Sequence, residues 1–160
     1  MNLERSGIIK IIFVCHGNIC RSPMAEFVMK KLVRDAGIED RFEIASMAVS
    51  SEESGNPVYP PAKSKMREHG IPFDDHRARK ICAEDFRNAD LVVIMDESNR
   101  RLLGRIVGDA ACGGKVRKLM EFAGICRDVA DPWYTGDFES CYRDILAGCK
   151  ALLDKISTLA

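Results

Sequence analysis

The chain has 160 residues, of which 46% are hydrophobic, and we interpret residues 1–160 as a single domain. Its 24 basic residues balance its 24 acidic residues, so the overall charge gives no reason to expect binding to nucleic acid or to a membrane. No apolar run reaches the roughly 18 residues of a membrane span, and the N-terminus has no recognisable secretion signal. We therefore expect a cytoplasmic protein.

The first predicted unit is a strand, a loop and a helix. After a short lead-in over residues 1–6, the segment GIIKIIFV (Gly7 to Val14) is rich in isoleucine and valine. Such a run is typical of a parallel strand that is buried on both faces. Ser22 and Pro23 then predict the start of a helix, with the serine as N-cap and the proline in the first turn. Apolar residues recur at helical spacing up to Gly37.

Strands and helices continue to alternate along the rest of the chain. The pattern predicts three further strands, of which the last is the weakest: Phe42–Ala48, Leu91–Met95 and Lys115–Met120. It predicts helices at Ala62–His69, Ala83–Asn88, after Asn99 to about Val107, and Phe138–Leu159, with a long loop over Asp128–Asp137. This alternation indicates an α/β domain with a parallel sheet. Sites in such sheets form beyond the carboxyl ends of the strands, so the Cys15 loop, the Ser46 region and the DESN segment after Met95 are expected to meet at one edge.

The loop CHGNICR, from Cys15 to Arg21, carries the strongest chemical signal. A loop that runs into a helix N-terminus can turn successive backbone N–H groups inward and so form an anion site. Gly17 permits close backbone approach, and Arg21 can bind two phosphate oxygens. These groups and the Ser22 hydroxyl favour the thiolate of Cys15. The loop therefore predicts a nucleophile seated beneath a bound phosphate, whereas a buried thiol beside a tight turn is the simpler alternative.

A second segment, Asp131-Pro-Trp-Tyr, fits the same chemistry. Cleavage of a phosphate ester leaves an oxygen that needs a proton, and Asp131, held next to a proline, is a candidate general acid. Trp133 and Tyr134 are candidates to line a slot for an aromatic leaving group. The alternative interpretation is a turn with partly exposed aromatic residues.

Together these segments resemble the low-molecular-weight protein tyrosine phosphatase family. The resemblance is carried by CHGNICRSP with its Cys-x5-Arg pattern, by MDESN at Met95, by DPW at Asp131, and by GNPVYPPA and HGIPFDDHRARKI in the middle of the chain. It implies a three-layer, flavodoxin/Rossmann-like fold with a small four-stranded parallel sheet flanked by helices. It also implies an enzyme that needs neither a metal nor an organic cofactor and that acts on phosphotyrosine-containing proteins.

The resemblance implies a role for each matching residue. Cys15 is the nucleophile that forms a phosphocysteine, Arg21 binds the phosphate, and Asp131 protonates the leaving oxygen and then activates water. Cys20 is the partner that can form a reversible disulfide with Cys15. The remaining implied roles are phosphate and substrate binding by the loop and the aromatic pair, and a network that holds the loop in shape: His16, Gly17, Asn18, Ile19, Cys20, Ser22, Trp133 and Tyr134 for binding, and Asn18, Ser22, Ser46 and His76 for the network.

Two positions bear on the substrate. Ile19 is branched and apolar where relatives resembling phosphoarginine phosphatases carry threonine, and this favours phosphotyrosine over phosphoarginine. Many family members have an aromatic residue on the cleft wall after the second strand, where this chain has Glu52 and Glu53. An acidic wall disfavours acidic peptides and suits basic ones.

Other functions remain as alternatives. A phosphoarginine phosphatase or a thioredoxin-coupled arsenate reductase shares this fold and loop. Arsenate reduction needs additional relay cysteines, and no cysteine lies about seven residues after Cys82, which we interpret as a buried thiol on the side of a helix. A module that binds phosphate without turnover is a further alternative, although it needs neither a nucleophile nor an acid. No interface pattern is evident, and we expect a monomer.

Overall fold

The computed structural model describes residues 7–159, with side chains described as far as residue 157; the predicted lead-in over residues 1–6 lies outside the described residues. The strands are β1 (Ile9–Cys15), β2 (Phe42–Ala48), β3 (Leu91–Ile94) and β4 (Val116–Lys118). The helices are α1 (Arg21–Asp35), α2 (Pro60–Glu68), α3 (Ala83–Asn88), α4 (Glu97–Val107), α5 (Leu119–Phe122), α6 (Pro132–Thr135) and α7 (Phe138–Leu159). Short 3-10 turns lie at Glu39–Arg41 and Gly108–Cys112.

Within residues 7–159 the four strands form one parallel sheet in the order β2-β1-β3-β4. The chain therefore leaves β1 toward one side to reach β2 and later returns to its other side to form β3. A crevice forms at such a change of direction, beyond the carboxyl ends of the strands. In the sheet register Cys15, the last residue of β1, is opposite Ala48, the last residue of β2.

The sheet is covered by helices on both faces, as the predicted fold class requires. On one face Ile11 and Phe13 of β1 join a cluster with residues of α1, α5 and α7. On the other face Ile12 and Val14 pack with residues of α3 and α4, including Leu103. Because successive side chains of a strand point to opposite faces, the unbroken apolar run of β1 supplies both layers. The α/β fold with a four-stranded parallel sheet flanked by helices is confirmed.

Several local predictions need correction. Helix α4 begins at Glu97 rather than after Asn99, and α2 begins at Pro60 rather than at Ala62. The predicted strand Lys115–Met120 ends at Lys118, and Leu119 and Met120 instead begin α5, because a short apolar run fits a buried helical turn as well as a strand. The predicted loop Asp128–Asp137 contains the helical turn α6. Ser22 lies inside α1, whose N-cap is Cys20, and its hydroxyl is directed to the Cys15 sulfur rather than to the helix end.

Among residues 7–159, no helix is long and apolar enough to span a bilayer.

Candidate active site

A cavity of about 150 Å³ lies at the carboxyl edge of the sheet, above the end of β1. Backbone hydrogen bonds from Val49 N to Cys15 O (3.1 Å) and from Ser50 N to His16 O (3.1 Å) tie the start of the loop to the chain after β2. We call residues 15–21 the Cys15 loop. The cavity is lined by residues of this loop and by two facing segments: Cys15, His16, Gly17, Ile19, Cys20, Arg21, Glu52, Glu53, Asp131, Trp133 and Tyr134.

The sulfur of Cys15 is surrounded by hydrogen-bond donors. The backbone N–H groups of Asn18 and Ser22 point to Sγ at 3.3 Å and 3.4 Å, and Oγ of Ser22 lies 3.0 Å from it. The Ser22 N–H is one of the first N–H groups of α1, and these groups have no carbonyl acceptor within the helix. These donors are oriented to stabilise negative charge on the sulfur.

Asn18 fixes the shape of the Cys15 loop from behind. It is fully buried, and among the described residues it alone has a positive φ (60°) without being glycine. Asparagine tolerates this left-handed conformation better than most residues, especially when its side chain is bonded locally. Its Nδ2 donates to Oγ of Ser22 (2.8 Å) and of Ser46 (3.0 Å), and its Oδ1 accepts from Arg79 N (3.2 Å).

A buried carboxylate completes this network. Oγ of Ser46 donates to Oε1 of Glu26 at 2.6 Å. Nε2 of His76 donates to the carbonyl oxygen of Asn18 at 3.1 Å, and its Nδ1 lies 3.8 Å from the same Glu26 oxygen. The predicted network of Asn18, Ser22, Ser46 and His76 is therefore assembled in one place, with Glu26 as a member that the sequence did not indicate.

Arg21 is almost completely buried, with 2% of its surface exposed, and its guanidinium is held at several points. Its NH1 donates to Asp96 Oδ2 (2.7 Å) and to the carbonyl oxygen of Val129 (2.8 Å), and its NH2 donates to Asp131 Oδ2 (3.4 Å). Burial disfavours the charge, but the acidic groups of Cys15, Asp131 and Asp96 outweigh burial and raise the pKa of Arg21. The guanidinium therefore stays charged and oriented at the cavity.

Asp131 lies on the opposite side of the cavity at the N-terminus of α6. Its Oδ1 accepts from Trp133 N at 3.0 Å, so its own turn positions the carboxyl group. Trp133 and Tyr134 follow it and are 51% and 85% exposed. The Trp133 ring packs on Tyr59 with 4.8 Å between ring centroids, which adds an aromatic residue that the sequence analysis did not select.

Glu52 and Glu53 stand on the cavity wall, as the sequence comparison with the family pattern suggested. The Glu52 side chain is 71% exposed, and its Oε2 lies 3.1 Å from Nε2 of His16. Oε2 of Glu53 accepts from Asn56 Nδ2 at 2.6 Å, and its side chain lies against Gly17. A Cβ at Gly17 would lie 3.2 Å from Cγ of Glu53, so a larger residue there would require the Glu53 side chain to shift by a few tenths of an ångström.

Cys20 and Cys82 differ in their surroundings. Cys15 and Cys20 are both buried free thiols, and burial raises the pKa of the Cys20 thiol far above its ordinary value. Cys82 is exposed at the N-cap of α3, so its interpretation as a buried thiol on the side of a helix is wrong. The helix begins one residue later and leaves Cys82 in the preceding loop.

The side chains predicted to bind substrate separate into two groups. His16, Gly17, Ile19, Cys20, Trp133 and Tyr134 line the cavity, whereas Asn18 and Ser22 lie behind the sulfur and support the loop. The sequence analysis missed Asp96 and Glu26. Asp96 could have been found, because it directly follows β3 at the edge where the site was expected, but Glu26 lies within an ordinary helical pattern.

One group of side chains elsewhere in residues 7–157 has donor atoms close enough to hold a cation: Glu68, His69 and Glu139. None of them lines the cavity. Nζ of Lys65 already lies 2.7 Å from Glu68 Oε2 and 2.8 Å from Glu139 Oε2. The carboxylates of this group are therefore paired with a lysine.

Comparison with known proteins gives consistent matches over most of the chain. A family model described as "Low molecular weight phosphotyrosine protein phosphatase" matches residues 10–159. The human protein of the same name is 41% identical over 149 residues, which cover 91% of this chain and 94% of the human protein. The crystal structure of YfkJ from Bacillus subtilis superposes with a TM-score of 0.91 at 33% identity and covers 97% of this chain and 98% of that one. The crystal structure of a Drosophila arginine phosphatase has a TM-score of 0.81 at 29% identity, with 92% and 97% coverage.

Proposed function

Since this chain belongs to the low molecular weight phosphotyrosine protein phosphatase family, we propose that it hydrolyses phosphotyrosine with Cys15 as nucleophile, Arg21 as phosphate ligand and Asp131 as acid and base. Family membership makes the chain a phosphoric monoester hydrolase. The observation that supports these roles is the position of the Cys15 sulfur. It lies at the base of the cavity, within 3.4 Å of two backbone N–H groups and a hydroxyl, with Arg21 and Asp131 on the walls.

In the first step the Cys15 thiolate attacks phosphorus. The S–P bond forms, the P–O bond to the phenol breaks, and the proton of Asp131 goes to the leaving oxygen. Arg21 and the loop N–H groups bind the phosphoryl oxygens, on which charge is spread in the transition state. Asp96 and the Val129 carbonyl hold the guanidinium in place, so little reorganisation is needed when substrate enters.

In the second step water attacks the phosphocysteine. The Asp131 carboxylate takes a proton from the water, the S–P bond breaks, and inorganic phosphate leaves. The Ser22 hydroxyl, 3.0 Å from the sulfur, donates to the departing thiolate and lowers the barrier to its release. Asp131 is then protonated and ready for the next substrate.

The walls of the cavity suit a flat aromatic leaving group. Ile19 lines the cavity and is 8% exposed, and Trp133 presents an exposed ring on the other side. Apolar and aromatic walls can pack against the two faces of a phenyl ring. Phosphoarginine is the competing substrate, because the chain also resembles an arginine phosphatase of Drosophila.

The remaining assignments complete the proposal. We infer one catalytic domain over residues 1–160 that acts as a cytoplasmic monomer on phosphotyrosine-containing proteins, without binding nucleic acid and without a cofactor. Cys20 lines the cavity beside Cys15 and is the partner for a reversible disulfide. Under peroxide, a sulfenic acid on Cys15 would lose water when the Cys20 sulfur attacks it, and a thiol reductant would restore both thiols.

Hydrolysis of p-nitrophenyl phosphate tests the mechanism, with phosphotyrosine and phosphoarginine assayed in parallel. We expect Cys15→Ser to lower kcat by at least about 10⁴-fold and Asp131→Asn by about 10²- to 10³-fold. Cys112→Ser and Asp109→Asn, at exposed positions beside α4, serve as matched controls and should retain activity.

Acid quenching during turnover should trap a phosphoenzyme in Asp131→Asn and not in Cys15→Ser. Full activity in Cys15→Ser would refute the mechanism. Turnover of phosphoarginine but not of phosphotyrosine would refute the substrate assignment. Arsenate reduction that requires thioredoxin, without phosphatase activity, would replace the function altogether.

A further inference from the structure

We propose that Glu52 and Glu53 make this phosphatase selective for phosphotyrosine flanked by lysine or arginine, an inference that rests on the proposed function of the same cavity. Both residues line the cavity wall next to the Cys15 loop.

The two carboxylates lack strong cationic partners. Several exposed acids of this protein are paired with lysine or arginine, as Glu43 is with Lys10 and Glu97 with Arg100. Among residues 7–157, Glu52 has only the imidazole of His16 as an ion-pair partner, and Glu53 forms no ion pair with a lysine or arginine. Their charge is therefore available to a bound substrate.

The rest of the cavity does not cancel this charge. Arg21 is the one lysine or arginine among the lining residues, it is 2% exposed, and it is already bonded to Asp96 and Asp131. A bound phosphate would use what remains of its positive field. Asp131 also lines the cavity and is paired with Arg21, so Glu52 and Glu53 are the carboxylates at the cavity mouth that no lysine or arginine among the described residues neutralises. A cationic residue next to phosphotyrosine would be attracted to this mouth, and an acidic one would be repelled.

Glu53 is held in place before substrate arrives. Its carboxylate accepts from Asn56 at 2.6 Å, and its stem contacts Gly17. A carboxylate that is already ordered loses little conformational entropy when it pairs with a ligand. Glu52 is more exposed and can adjust to the position of the incoming cation.

The two sides of the cavity would then have different tasks. Trp133 and Tyr134 offer exposed rings to the phosphotyrosine ring. Glu52 and Glu53, on the segment that follows β2, would contact the residues before or after it in the substrate chain. The ring side recognises any aryl phosphate, whereas the acidic side distinguishes one protein substrate from another.

The test uses phosphotyrosine peptides that differ only in the two residues flanking phosphotyrosine, which are both lysine, both alanine or both glutamate. We measure kcat/KM for each peptide with wild type, Glu52→Gln, Glu53→Gln and the double variant, and p-nitrophenyl phosphate serves as a substrate without flanking residues. Wild type should prefer the lysine peptide over the glutamate peptide by about tenfold or more at low salt, and added salt should reduce this ratio. The double variant should reduce the ratio to about twofold.

Glu43→Gln is the matched control, because Glu43 is exposed near the amino end of β2, at the edge of the sheet opposite the cavity. It should keep the wild-type ratio. A wild-type ratio near one, or an unchanged ratio in the double variant, would overturn the selectivity while the phosphatase function stands. If wild type cleaves none of the peptides and not p-nitrophenyl phosphate, the proposed function fails and the selectivity fails with it.

Discussion

The Cys15 loop and the outer wall of the cavity are built in opposite ways. In the loop, Cys15, Asn18, Ile19, Cys20 and Arg21 are all buried, and the polar groups of Asn18 and Arg21 are bonded to several partners each. On the outer wall Glu52, Trp133 and Tyr134 stand largely in solvent with few partners.

In the function proposed above, this difference separates chemistry from selectivity. The loop is held by β1, by the start of α1 and by side chains from distant parts of the chain, so the sulfur and the guanidinium keep a fixed geometry. The outer wall can change its side chains without disturbing that geometry. Substitutions in the loop should therefore damage both rate and folding, and substitutions on the wall should alter substrate binding and preference with little effect on kcat or folding.

The contrast between the Cys15 loop and the outer wall predicts its largest effect on activity at Arg21. We expect Arg21→Lys to lower kcat/KM by about 10³-fold, because one ammonium cannot bind two phosphate oxygens and also satisfy Asp96 and the Val129 carbonyl. Steady-state kinetics with p-nitrophenyl phosphate measure the loss. Arg101→Lys, at an exposed position of α4, is the control. If kcat/KM falls by less than about tenfold, the positive charge alone is sufficient and the geometry of the guanidinium matters little.

Substitution of Asn18 should affect stability as well as rate. Asn18→Ala leaves the Arg79 N–H without its acceptor and the hydroxyls of Ser22 and Ser46 without their donor, at a φ that alanine disfavours. We expect the free energy of unfolding to fall by about 2–4 kcal/mol and kcat/KM by about 10²-fold.

Asn18→Gly separates the loss of the hydrogen bonds from the backbone strain at a positive φ. Glycine removes the same hydrogen bonds as alanine but adopts this φ without strain. Its unfolding free energy should lie about 1 kcal/mol above that of Asn18→Ala. Urea denaturation measures both variants, with the exposed Asn88→Ala as reference. Wild-type stability in both variants would show that the loop does not depend on this network.

A smaller effect is expected at Ser22, and it should fall on one step. Ser22→Ala removes the hydroxyl that lies 3.0 Å from the sulfur, so the phosphocysteine should break down about tenfold more slowly. Rapid mixing should then show a burst of p-nitrophenol before the slower steady state. Ser46→Ala removes the other hydroxyl bonded to Asn18 without touching the sulfur and should give no larger burst than wild type. Equal bursts in the two variants would contradict this role.

The smallest change should come from the outer wall. We expect Trp133→Ala to raise KM for aryl phosphates about three- to fivefold with little change in kcat, because the lost contact is made equally by the bound substrate and the transition state. Its thermal midpoint should stay near that of wild type, since the ring is half exposed and contacts mainly Tyr59. A large fall in kcat instead would mean that Trp133 stabilises the transition state and does more than bind the substrate ring.

The periodicity of apolar residues correctly predicted those strands and helices whose bounds depend on the nearby sequence alone. The bounds of β2 and α7 are as predicted, because a strand between turns and a long amphipathic helix each have a clear period. The end of β4 was wrong, since nothing in KVRKLM tells a strand from a strand followed by a helical turn. Only packing on α7 decides that Leu119 and Met120 belong to α5.

The site was predictable where its parts are close in the sequence. The Cys-x5-Arg spacing indicated the anion loop, the Asp-Pro-Trp-Tyr segment indicated Asp131 as an acid, and the family resemblance added the supporting network. The pairing of Arg21 with Asp96, 75 residues away, depends on the adjacency of β1 and β3. The role of Glu26 depends on α1 bringing its carboxylate beside Ser46 of β2. Such contacts cannot be deduced before the strand order is known.

The central position of β1 has a consequence for how the protein loses its structure. β1 is hydrogen-bonded to β2 on one side and to β3 on the other, so its amides should exchange with solvent deuterium only when the whole sheet opens. Cys15, the proposed nucleophile, is the last residue of this strand. The four-residue α6, which carries Trp133, is exposed and should open through small local fluctuations. On heating, the Cys15 thiol should therefore keep its position until global unfolding, whereas α6 and the outer wall of the cavity should become mobile at lower temperature.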